Sequence, residues 1–216
     1  MTQRAHFEVL DGLRGVAAVL VLGFHLSEIV SGGNPARNIF PHGALAVDFF
    51  FALSGFVIAH AYDARMAQGL GFGGFLLRRV VRLHPLVPLA TAIGALAWLF
   101  GPDQGAVPHM AGPGFALAIA LALFVLPYPT LAGRWDDTHS LDGPTWTLLQ
   151  EYVGSIAYGL VLWRVPLRWL GWLLVPAGVA LIAGGLAHGT IASGFGWSNW
   201  EMAPTRLAFP FIAGIA

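Results

Sequence analysis

The chain has 216 residues, 56% of them hydrophobic and only 10% charged, with a mean hydropathy of +0.69. A soluble domain carries about 25% charged residues, so this composition cannot furnish a water-facing surface and the chain reads as an integral membrane protein. The formal net charge is zero, which leaves no basic surplus for nucleic acid, and the lack of cysteine excludes disulfides, thiolate metal sites and a cysteine nucleophile.

The first helix is expected over residues 11–29, with Asp11, Arg14 and His25 inside an apolar run. An ionisable group in hydrocarbon costs roughly 3 kcal/mol on insertion scales, so each is a functional-site candidate. Arg14 and His25 are eleven residues apart, which places them about 20° from the same helix face and about 16 Å apart along the axis. The plainer alternative is an Asp11–Arg14 pair at i, i+3 that neutralises itself, with a histidine that only packs. No small-x-small cleavage site follows the run, so the helix is expected to be retained. The Gly/Asn/Pro cluster at 31–35 ends it.

A second helix, 43–62, carries Asp48 and Ser54. Its small residues Ala52, Gly55 and Ala59 share a stripe with Asp48 that lets a neighbouring helix approach closely. Asp48 stands at the mouth of the helix, where it can orient an imidazole or hydroxyl, or cap the N-terminus. Ser54 has no neighbouring base in sequence and reads as a packing or hydrogen-bonding residue.

A polar connection follows with Asp63, Arg65, Gln68, Arg78, Arg79 and Arg82. Four of the eleven arginines fall here, so the positive-inside rule places it, and the N-terminus with Arg4, in the cytoplasm. Arg78 and Arg82 share a helix face beside Arg79, and guanidinium forks suit phosphate oxygens. Topology signalling or headgroup contact is the ordinary use of such a cluster.

The third helix, 85–100, is uncharged, and a Gly/Pro-punctuated loop from Gly101 to Pro108 follows it. The apolar run 115–126 is short for a crossing and is followed by Pro127 and Pro129, which fits a re-entrant segment. Arg164 and Arg168 after the next helix favour that reading, with Trp146 on the outside.

Glu151 lies about a turn and a half into the fifth helix, 146–162, too deep for a solvated acid. The sixth helix, 169–187, holds Pro176 as a kink site, 193–201 suits a membrane interface, and 207–216 begins a further apolar run. His6, His42, His109, His139 and His188 fall in loops or at helix ends, without metal-ligand spacing. The expected fold is all-α: one polytopic transmembrane bundle over 1–216, with about six full helices, the start of a seventh and a re-entrant segment near 115–130.

Four stretches resemble one family. Asp11-Gly12-Leu13-Arg14, ten residues before His25, is similar to the opening motif of the acyltransferase type 3 membrane acyltransferases. The run from Val47-Asp48-Phe49 through Ser54-Gly55-Phe56 is similar to its second signature. Arg78-Arg79-Val80-Val81-Arg82-Leu83-His84-Pro85 resembles its arginine loop, and Trp146-Thr147-Leu148-Leu149-Gln150-Glu151 its Trp-Ser-Leu-x-x-Glu segment. Thr147, His84 and the Gly154-Ser155 pair depart from the family's usual residues.

The resemblance implies about ten helices, so this chain is expected to be incomplete at its C-terminus. It also implies a cytoplasmic acyl-CoA donor, acetyl-CoA above all, and O-acylation of a carbohydrate or lipid-linked glycan of the cell envelope. By that resemblance His25 carries over as the catalytic residue and Arg78, Arg79 and Arg82 as donor-binding. From the residues themselves, Asp48 and Glu151 are the acids expected to orient the imidazole, Arg14 is a further donor-binding candidate, and Asp11, Ser54 and Trp146 are structural or acceptor-side candidates. No bound cofactor or metal is expected. The partners are the bilayer of the plasma or inner membrane, the donor and the acceptor.

Two further readings remain open. Intramembrane Asp, Glu, Arg and His also suit a transporter or flippase, which an inverted repeat would favour, and none is visible. A truncated, inactive chain that only packs with partners is the third.

Overall fold

A computed structural model describes residues 7–34, 37–101, 112–131 and 133–216. Arg4, His6, Pro35, His109 and the loop expected over 102–108 lie outside them. Among the described residues the chain forms eight α-helices, no named strand and one isolated bridge between Asp137 and Gly196. The helices are α1 (Glu8–Ser31), α2 (Ala46–Ala67), α3 (Phe72–Leu83), α4 (Val87–Phe100), α5 (Pro113–Leu123), α6 (Thr145–Leu160), α7 (Leu167–His188) and α8 (Met202–Ile215).

Helices α1 and α7, and α2 with the 3-10 turn Gly43–Leu45 ahead of it, are each long and apolar enough to cross a membrane. Helices α3 and α4 pass the same test together as one span bent by 42°. The break falls at Pro85, which lacks an N–H for the ladder, and Pro88 then starts α4 where a missing N–H costs nothing.

This corrects the polar connection expected over 63–84. Helix α2 runs on to Ala67, and the arginines ride on α3, which lies along α6 with Phe72 and Phe75 against Gly159 and Arg79 against Ser155. The arginine segment is therefore helical, the first half of a bent pair whose second half is Val87 to Phe100 and which has the form of a broken span or a re-entrant loop.

Contacts fix the relative directions. Phe7 meets Phe56 and His60, while Gly43 lies against Phe24, so α1 and α2 are antiparallel. Phe51 meets Trp146, and the Tyr158 hydroxyl donates to Asp63, so α6 runs parallel to α2 and Trp146 sits at the Asp48 end. Helix α5, about 16 Å long at 1.5 Å per residue, is too short to cross. It turns back beside α4, with Phe115 stacked on Trp98 at 4.7 Å. Its last turn closes through hydrogen bonds from Val125 and Leu126 to the carbonyls of Ala122 and Leu121, with Val125 at φ 58°. A β-branched residue there is strained by roughly 1–3 kcal/mol, and its complete burial offsets part of that.

The main core joins Phe51, Ile58, Tyr62, Phe75, Tyr158 and Phe211 from α2, α3, α6 and α8. Lipid tails are as apolar as leucine, so helix association here depends on close backbone approach. The small-residue stripe of α2 provides it: a β-carbon at Gly55 would overlap the Phe211 carbonyl, and one at Gly214 the Ala52 carbonyl. Gly55→Val is therefore expected to unseat α8 and lower stability by at least about 1–3 kcal/mol, the cost of overpacking, measured as the thermal midpoint in detergent.

Candidate active site

Glu151 gathers the polar groups of the bundle interior. Ser54 Oγ donates to its Oε2 at 2.7 Å, and Arg79 Nη2 to the same oxygen at 2.9 Å. Arg79 Nε donates to Ser155 Oγ at 3.0 Å, and that hydroxyl donates back to the Glu151 carbonyl at 2.7 Å. Arg79 is only 3% exposed, so a buried cation and a carboxylate neutralise each other at the level of Ser54. Ser54 lies about 12 Å along α2 from its start. The pair is sequence-distant but chemically obligatory, because neither charge is tolerable there alone.

A cavity of about 100 Å3 opens beside it, lined by Arg14, Phe50, Ser54, Arg79, Arg82 and Glu151. A second cavity of about 220 Å3 shares Phe50, Leu83 and Glu151 and continues to Val47 and Thr147. Arg14 also reaches Asp11, 3.7 Å away on its own helix. The structure thus brings Arg14, Arg79, Arg82, Ser54 and Glu151 together. Arg78 stands apart, exposed and donating to the Gly74 carbonyl at 2.8 Å.

Asp48 is held elsewhere. Arg206 of α8 grips it bidentately, Nε to Oδ1 and Nη2 to Oδ2, both at 2.9 Å. The same guanidinium donates to the carbonyls of Ala44 and Ser193 and lies 5.6 Å from the Trp146 ring centre. It is 2% exposed. Sequence reasoning passed over Arg206, although a lone arginine in an apolar run was itself the signal.

His25 lies six residues before the end of α1, at the end of the bundle away from Arg14. Its Nδ1 is 3.1 Å from Glu28 Oε2, so its partner is one turn along its own helix rather than Asp48 or Glu151. The side chain is 39% exposed. Trp135 packs beside Gly33, and Asp137 from the same 133–144 loop faces Glu28 and His25 electrostatically. Burial first, and then the Glu28 charge, push the Asp137 carboxyl above its usual range, while Arg134 and His25 pull it back. Among the described residues no group of three or more His, Cys, Asp or Glu side chains is placed to hold a metal.

Long apolar helices around buried ion pairs define a polytopic helical membrane protein, one of whose pairs, Glu151 with Arg79, lines a cavity. The chain matches the acyltransferase domain family over residues 7–216 and belongs to that family. It is 37% identical over 163 residues to protein 2 in the picA locus of Rhizobium radiobacter, covering 70% of this chain and 80% of that protein. It is 28% identical over 182 residues to acyltransferase MdmB of Streptomyces mycarofaciens, covering 80% of this chain but 44% of MdmB. No solved structure matches it.

Proposed function

We propose that the protein transfers an acyl group, acetyl in the first instance, from acyl-coenzyme A to a hydroxyl of a carbohydrate or lipid-linked glycan. In this reading it sits in the plasma or inner membrane with its N-terminus in the cytoplasm. One observation carries the reading. Arg14 of α1 joins Arg79 and Arg82 of α3 around one cavity, and the same α1 face presents His25 about 16 Å further on.

The donor phosphates dock on the arginines, and the flexible thioester arm spans the distance to the imidazole. Glu151 bonds to Arg79 and Ser54, so Arg82 and Arg14, the latter shared with Asp11 at 3.7 Å, are the cavity cations that meet the ligand. His25 then takes the proton of the acceptor hydroxyl as general base. Asp48 and Trp146, joined through Arg206, fix the end of α2 beside the α6 motif.

The test is acyl-CoA affinity across a salt series. A hydrogen bond to a charged group contributes about 1.5–3 kcal/mol, so Arg14→Gln with Arg82→Gln is expected to weaken binding more than tenfold. The loss should be larger at low salt, where exposed charges are less screened. Arg78→Gln, on the outer face, should cost less. Unchanged affinity in the double variant would leave these arginines as topology signals only.

A further inference from the structure

The end of α1 is more tightly fixed than the rest of that helix. Most of its apolar side chains, from Val9 to Leu22, are exposed, and Ala17 and Ser27 alone in the helix are buried. Around His25 the ties accumulate. The Phe40 ring lies against Gly23, Asn38 donates to the Phe24 carbonyl, and Ile39 N–H donates to Ser27 Oγ at 2.9 Å.

The helix then closes in a Schellman motif. Gly32, at φ 65°, donates to the Ile29 and Glu28 carbonyls, and Gly33 donates to that of Glu28 at 2.9 Å. Ser31 Oγ donates to the same Glu28 carbonyl at 3.0 Å. Three donors, the Gly32 and Gly33 N–H groups and the Ser31 hydroxyl, therefore fix the backbone of the residue whose carboxylate meets the His25 ring.

We propose that Glu28 is the positioning residue for His25, a role that rests on the reading of His25 as general base. A carboxylate is acceptor-only, so Glu28 holds the imidazole with the proton on Nδ1 and leaves the Nε2 lone pair to react. The two acids expected to orient the imidazole are held elsewhere, Asp48 by Arg206 and Glu151 by Arg79. In the transfer step Nε2 takes the acceptor O–H proton while the acceptor oxygen bonds to the thioester carbonyl carbon. The C–S bond breaks, and the proton passes from Nε2 to the departing thiolate. Asp137 supplies a second carboxyl that faces this pair electrostatically.

The experiment compares wild type, Glu28→Gln, Glu28→Leu and His25→Gln as purified full chains in detergent. Ring-nitrogen NMR of 15N-histidine protein, with the His25 signal assigned by its loss in His25→Gln, reads the tautomer without any acceptor. Coenzyme A release from acetyl-CoA in the presence of N-acetylglucosamine reads turnover, and the cysteine-free chain adds no thiol background.

In Glu28→Leu the His25 signal is expected to move to a tautomer mixture. Turnover should fall at least tenfold, toward the 10⁴-fold loss that a wrong tautomer costs in a serine-protease triad, with the donor KM and thermal midpoint unchanged. Glu28→Gln, which keeps an acceptor in place, should fall between Leu and wild type. A His25 signal unchanged in Glu28→Leu overturns the proposal whether or not turnover is detected. Full turnover in His25→Gln would instead overturn the general-base reading beneath it.

Discussion

Alanine at His25 is expected to abolish transfer while leaving the amount of folded protein nearly unchanged. General-base catalysis contributes about 10²–10⁴-fold, so loss of the base should take turnover to background. Folding should survive because the ring contributes no backbone bond: the turn around it is held by Asn38, Ile39, Ser31 and Gly33. His25→Gln should not restore activity, since an amide cannot take the proton. A histidine that merely packs gives the opposite pattern, with glutamine tolerated and alanine lowering yield and thermal midpoint. Turnover per folded molecule, with folded protein counted by monodispersity in detergent, separates the two.

The largest stability effect is expected at Asp48 and Arg206. Their bidentate pair is almost fully removed from solvent on the arginine side, and it links the start of α2 to α8. Truncating one partner of a buried pair leaves an uncompensated charge and costs about 3–5 kcal/mol. Asp48→Asn and Arg206→Leu should each lower stability by that amount, read as the denaturation midpoint. Removing both charges, as Asp48→Asn with Arg206→Leu, should recover much of the loss because no buried charge remains. Strictly additive losses in the double variant would mean that the two residues act independently.

Fold class was legible in the sequence because hydrophobic run length and arginine placement obey simple membrane physics. Helix boundaries over α1, α2, α4, α6 and α7 follow the expected runs to within a few residues, and α5 turns back as its length requires. The arginine segment was misjudged because a charged stretch reads as a connection. Nothing local reveals that Glu151, 72 residues away, neutralises Arg79 and lets α3 enter the bundle.

Partnership was less legible still. Which arginine holds which acid depends on α6 and α8 running parallel to α2, a tertiary fact with no periodic trace. The Glu28–His25 contact is legible in the sequence, since the i, i+3 spacing that pairs Asp11 with Arg14 also pairs these two.

In the proposed reaction the donor docks at the arginine cavity, and the acceptor hydroxyl meets His25 at the far end of α1, from the other side of the membrane. Sealed proteoliposomes test it directly, with radiolabelled acetyl-CoA trapped inside and an impermeant N-acetylglucosamine oligomer added outside. Those molecules oriented with the arginine end inward are expected to place label on the outer saccharide, and His25→Ala vesicles should place none. Label on the saccharide only when both substrates share one compartment would contradict the account, as would saccharide crossing the membrane unacylated.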